Sequence, residues 1–189
     1  MGDTVRAFLC KNWRRDSFSN NYILFKQNGT GSLLCASDDA KIWIHTGIKW
    51  EATDPSVLKQ VVGAKTSSAD AQLLSEFELK ITLTKRGPKE AREMPHPHLG
   101  AVKDGRLLEE AFEPKKYMVR LEKGKFIPAL DKDPDGRMKW RAMSPYNYRL
   151  VFDKSPYPAG EHWKDPEICD DAKSAHEWKE FHAGSTKYK

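Results

Sequence analysis

Cysteine is scarce in this chain, and what there is forms no pattern. Cys10, Cys35 and Cys169 are the three in 189 residues, with no CxxC or other metal-ligand spacing. An odd, sparse set fits a reducing compartment better than a disulfide scaffold, so the fold must rest on its own hydrophobic core. Long apolar runs are missing too: no segment approaches the roughly 20 residues of a membrane-spanning helix. The opening MGDTVRAFLCKNW has no secretory apolar stretch, and Arg6 stands where N-myristoylation after Gly2 calls for Ser or Thr. A cytoplasmic protein with no membrane partner is therefore expected.

Cofactor signatures are also lacking. There is no Walker motif, GxSxG or HExxH. Gly29-Thr30-Gly31-Ser32 superficially resembles a nucleotide loop, but it lacks a third glycine and no helix follows, so it reads as a hairpin turn. His96-Pro97-His98 places two imidazoles two residues apart, and His45 is a conceivable third zinc ligand. Two prolines argue against a regular strand there, and exposed loop histidines are the better reading. No cofactor and no metal are expected.

Charge of one sign is not in great excess. There are 32 basic and 27 acidic residues, net +5, strongly interspersed. That pattern describes a solvated surface more than a polyanion-binding face. Basic and aromatic residues interleave at Lys11–Arg15 and Lys115–Arg120, but alternation puts Tyr117 and Arg120 on opposite sides of a strand. Stacking rings and phosphate-reading cations would then be separated, which disfavours a nucleic-acid partner.

What the chain does have is strand alternation. Tyr22–Trp50 reads as three strands joined by turns at Asn28-Gly29 and Asp38-Asp39, the first with the two-residue type I′ signature. In the third strand Ile42, Ile44, Thr46, Ile48 and Trp50 share one face, with Trp43, His45, Gly47 and Lys49 on the other. Residues 77–84, 116–122 and 146–153 alternate in the same way, Lys123-Gly124-Lys125 turns the chain, and a short strand is expected near Val57–Val62. Seven or eight antiparallel strands suit closure into a barrel, which removes exposed edges. Segments 86–113 and 127–145, rich in Pro, Gly and Asp, are placed at a rim; within the first only 107–112 suits a helical turn.

The tail differs. SPYPAGEHWKDPE should be extended, and DDAKSAHEWKEFHAG reads as a helix capped by Asp170 or Asp171 and ended by Gly184, packing Ala172, Ala175, Trp178 and Phe181 outside the barrel. The organisation expected is one mainly β domain over 1–189: a barrel at 8–154, then an extended segment and helix at 155–184.

Six Trp and an 11% aromatic content argue against disorder. Tyr22, Thr46, Trp50, Tyr117, Tyr146 and Tyr148 fall on the inward face of this scheme and are the candidate ligand-binding residues. Phenols inside a barrel need partners, and a ring-lined pocket with few polar handles is a common way to hold a small apolar molecule. Bonds from these phenols to nearby backbone are the equally weighted alternative. His45, Tyr146 and Tyr148 are the candidates for catalysis, as base or as donors to a ligand carbonyl. Apolar alternation favours Thr46 and Trp50 facing inward over Trp43 and His45.

The pattern WxxxxxxxxYxxFxxxGTGxL from Trp13 to Leu33 resembles the opening of lipocalin-like (calycin-type) small barrels. FELKITLTKR at Phe77, YMVRLEKGKF at Tyr117 and YRLVFDKSPYPAGEHWKDPE at Tyr148 resemble blocks of a mostly uncharacterised fungal family. The resemblance implies a cofactor-free barrel binding a hydrophobic small molecule. Because similar barrels act as cyclases or pericyclases of the Diels–Alderase type in secondary metabolism, it also implies cyclisation or isomerisation. No catalytic residue is transferred by it. A non-catalytic carrier is the alternative, and an adaptor for nucleic acid or another anionic partner the third.

Overall fold

A computed structural model describes residues 2–36, 42–63, 71–88, 107–140, 142, 145–164 and 174–185. Eight strands form a closed barrel: β2 Asn12–Arg14, β3 Tyr22–Phe25, β4 Thr30–Ala36, β5 Ile42–Ala52, β7 Gln72–Leu83, β8 Lys115–Phe126, β9 Tyr146–Phe152 and β10 Glu180–Ser185. Each pairs antiparallel with its neighbour in the chain, and β10 returns to β2. This is an up-and-down barrel, the architecture of lipocalin-like proteins. The remaining strands, β1 Asp3–Thr4 and β6 Val61–Val62, pair with each other outside it.

Alternation and register fix which residues point inward. Trp13, Ile23, Leu33 and Thr46 are successive partners across β2, β3, β4 and β5, and each is at most 1% exposed. Leu121, Leu150 and Phe181 form a similar inner row across β8, β9 and β10, each fully buried. Among the described residues, side chains enter the lumen from both ends. At the end marked by the Gln27–Gly29 loop, helix α1 Val5–Leu9 buries Val5, Phe8 and Leu9, while Arg6 donates to Gln27 O at 2.8 Å. At the other end the Tyr157 hydroxyl donates to Leu34 O at 2.7 Å and to Tyr22 O at 3.2 Å, and its ring stacks on Phe181.

Four local expectations change. Asn28-Gly29 is not a two-residue turn: Gly29 N–H donates to Lys26 O at 3.1 Å and Lys26 N–H to Thr30 O at 2.7 Å, closing a three-residue loop with Gly29 at φ 77°. A left-handed residue at the last loop position is the standard solution for that length. Lys123-Gly124-Lys125 does not turn the chain. β8 runs through it to Phe126 with a register shift, because a glycine inside a strand allows a bulge; a Cβ there would lie 3.0 Å from the Phe126 ring. The short strand expected near Val57–Val62 is β6, preceded by a 3₁₀ turn at Val57–Lys59, but it pairs with β1 outside the barrel rather than joining it.

The largest change is the C-terminal helix. Residues 174–177 form a 3₁₀ turn, and 180–185 is the closing strand β10. Phe181 and Ala183 face the lumen while Glu180 and His182 face out. Phe181 belongs both to this period of two and to the helical spacing of Ala175 and Trp178, and the open edges of β9 and β2 decide between them. The barrel thus extends beyond 154 and takes in residues from the tail. The Asp38-Asp39 turn, the capping Asp170 and Asp171, and Ala172 lie outside the described residues.

Replacing Phe181 by Ala empties part of the lumen and is expected to cost about 3–5 kcal/mol. Lys179→Ala, at an exposed position just before β10, should stay within about 0.5 kcal/mol. Urea unfolding of both variants measures this, and equal small effects would exclude β10 as a core strand.

Candidate functional site

The candidate residues do not gather into one lumenal pocket. Thr46 faces inward, but its hydroxyl donates to Thr84 O at 2.5 Å. The Trp50 indole N–H is shared between Lys26 O and Thr30 O at 3.1 and 3.0 Å, and its ring meets Phe25 edge-on. Both polar handles are spent on backbone. Tyr117 packs edge-on against Phe152, and burial, then the Asp153 carboxylate, pushes its phenol up to about 12. Beside it lies a cavity of about 10 Å³ lined by Ile81, Leu83, Lys115, Tyr157 and the flanking prolines, space for about one water. Lys115 there loses basicity to desolvation and donates to Glu110 O at 2.6 Å. Tyr148 lies at the α1 end, its ring against Phe8 with Lys11 Nζ above it.

Tyr22 is on the outer wall rather than in the lumen, because Ile23 and Phe25 take the inward positions of β3. It pairs with Leu34, which pairs with His45, so all three share one outer row. There the structure joins two candidates: Tyr22 Oη lies 3.0 Å from His45 Nε2, the rings meeting at 84°. His45 is 1% exposed, Tyr22 only half-buried. A phenol against an imidazole, both on strands, is a geometry able to polarise or relay a proton.

Tyr146 belongs to a different cluster. Its ring lies 5.7 Å from that of His182, and its hydroxyl is 3.3 Å from Ser17 Oγ. Ser17 in turn donates from Oγ (2.5 Å) and N–H (3.1 Å) to the buried carboxylate of Asp131. This bond anchors a loop, residues 129–140, that crosses back on itself where Lys132 bridges Met138 and Lys139 N–H donates to Asp131 O. Its tip is fixed as well: Asp133 Oδ1 accepts from Arg137 N–H, and Gly136 sits at φ 77°. On this held loop Trp140 is 85% exposed, Leu130 45% and Met138 39%, beside Phe18 at 47%. Lys139 Nζ links them, lying 5.6 Å from the Phe18 ring centroid and donating to Leu130 O.

Asp131, Asp133 and Asp135 precede Gly136 at the spacing of a calcium loop. Ala142 stands where the bidentate acid belongs, and two of the carboxylates are committed to Ser17 and Arg137 N–H. Among the described residues no three His, Cys, Asp or Glu side chains converge as a metal site. His96, His98 and Cys169 lie outside those residues.

Sequence reasoning placed 127–145 at a rim but did not single out the exposed ring it carries. Its signal was there: Trp140 sits between Lys139 and Arg141 in a Pro-, Gly- and Asp-rich segment, where no alternation assigns the ring an inward face.

No protein-family model matches the chain, no curated protein matches it, and no solved structure matches it. The closed eight-stranded architecture is consistent with a lipocalin-like barrel, and no family or fungal link is shown.

His182 allows a test of the cluster. Burial, then the nearby Arg149 charge, lowers it from 6.5 to about 4, against the raising effects of the Arg15 backbone bond and of Asp16. Between those values the unfolded chain binds the proton and the folded one does not. Stability is therefore full above pH 6.5 and falls as pH drops toward 4, by about 3 kcal/mol for this group. Urea midpoints for the wild type and His182→Phe across that range should show a shallower pH dependence in the variant; identical slopes would exclude the buried, neutral imidazole.

Proposed function

We propose that this protein is a non-catalytic binding module that meets its partner outside the barrel, through the 129–140 loop and Phe18. The observation carrying this reading is Trp140, 85% exposed on a loop held by the buried Asp131–Ser17 bonds. Exposed apolar side chains scattered singly are ordinary; three large ones on one ordered loop, with Phe18 meeting that loop at Lys139, favour an interaction site. Tryptophan is also the residue most enriched among binding hot spots. Because the loop is already ordered, little conformational entropy is lost on docking.

Anilinonaphthalene sulfonate, an apolar anion, probes such a surface. The native protein is expected to bind it, and the triple variant Leu130→Ser, Met138→Ser, Trp140→Ser to lose most of that fluorescence with an unchanged unfolding temperature. Equal dye binding by both proteins would overturn the reading.

The Tyr22–His45 contact favours a second reading: cofactor-free cyclisation or isomerisation of an apolar small molecule, as the resemblance to fungal barrels implies. Tyr22 would donate to a carbonyl as charge develops, with His45 orienting the phenol and accepting its proton. Under this reading Tyr22→Phe and His45→Gln each lower turnover of a cyclisable polyene by about 10²-fold. Product formation at the wild-type rate in both variants would remove it.

A further inference from the structure

We infer that the occupant of the 129–140 loop is an anionic lipid surface. The inference rests on that loop being the binding site. Its apolar members are two aliphatic side chains, Leu130 and Met138, and two aromatic ones, Phe18 and Trp140. Aliphatic chains gain nothing from stacking on nucleic-acid bases, but they partition into the acyl boundary of a bilayer. Tryptophan concentrates at the same depth, where its ring is apolar and its N–H reaches water and headgroups.

Charge points the same way. Lys132, Arg137 and Lys139 are exposed on the loop. Of its acids, Asp131 is 1% exposed and bonded to Ser17, and Asp133 Oδ1 accepts from Arg137 N–H. Asp135 is exposed at the turn. The outward balance is three cations against the exposed Asp135 and the half-buried Asp133. Each cation near an anionic leaflet adds attraction to it. The net charge of +5 for the chain adds long-range attraction of the same sign.

Size separates a lipid from a protein partner. Four partly exposed side chains offer on the order of 400 Å² of apolar surface, whereas a stable protein interface needs about 800 Å² from each side. Insertion of a few rings and methyl groups into a headgroup layer requires no more than the loop provides. Among the described residues no helix is long and apolar enough to cross a membrane, and surface docking requires none.

The test is cosedimentation of the full chain with phosphatidylcholine vesicles, with and without phosphatidylserine. Binding is expected only with phosphatidylserine, and it should weaken as salt rises. Trp140→Ser should reduce it about tenfold or more, Trp140→Phe much less. Lys132→Glu with Arg137→Glu, both at exposed positions, should abolish it without altering thermal unfolding. Acyl-chain bromination should quench wild-type fluorescence more than that of Trp140→Phe. No sedimentation with phosphatidylserine, or binding indifferent to these variants, overturns the lipid occupant. If the dye response still depends on the loop, the docking site stands and only its partner falls; if it does not, both fall. A protein or nucleic acid bound through Trp140 in place of vesicles likewise overturns the lipid assignment.

Discussion

Arg149 on β9 reaches both neighbouring strands: its Nε and Nη2 donate to Glu122 of β8 at 2.9 and 2.7 Å, and its Nη1 lies 3.3 Å from Glu180 of β10. On the opposite face of the same three strands, Leu121, Leu150 and Phe181 pack into the lumen. Closure of the sheet depends on this seam, since β10 is the last strand added and meets β2 through one register pair, His182 with Arg14. Once β10 is in place the barrel has no free edge, and the inner rows become a single core. Glu122 is only 7% exposed, and the two arginines beside it, Arg120 and Arg149, pair with its carboxylate at 3.2 and 2.7 Å.

Closure pushes the interesting chemistry outward. Described inner positions are taken largely by rings and branched chains, and Trp13 Nε1, Thr46 Oγ1 and Trp50 Nε1 there bond to backbone. Polar side chains with unusual surroundings lie on the outer rows instead: His45 against Tyr22, and His182 beside Tyr146. Both imidazoles are at most 3% exposed although they point away from the lumen. Against the outer face around His182 lies the segment carrying Ser17, which also fixes the 129–140 loop. The fold thus uses its barrel as a frame and its connections as the surface on which large apolar side chains stand exposed.

Much of the barrel was legible because period-two alternation is a local property. Residues 77–84, 116–122 and 146–153 lie in or overlap β7, β8 and β9, and Thr46 and Trp50 face inward as the pattern requires. The misreadings occur where two local patterns coexist. Lys123-Gly124-Lys125 carries turn chemistry and also the glycine of a bulge. Phe181 and Ala183 suit a strand, while Ala175, Trp178 and Phe181 suit a helix stripe, and only the neighbouring strand edges distinguish them. Tyr22 was placed inward although Ile23 and Phe25 carry the apolar alternation of β3; a four-residue strand gives too short a pattern to resist a one-residue slip.

By itself, the sequence determined a mainly β, antiparallel, closed architecture, since the hydrophobic period is a property of consecutive residues. Tertiary structure alone decided which described side chains line the lumen, that the tail supplies the eighth strand, and that Phe18 meets the 129–140 loop at Lys139. Those facts depend on residues more than a hundred positions apart, as Ser17 and Asp131 are, and on the volume left after every strand has closed. No local pattern carries that information, because packing is a relation between elements.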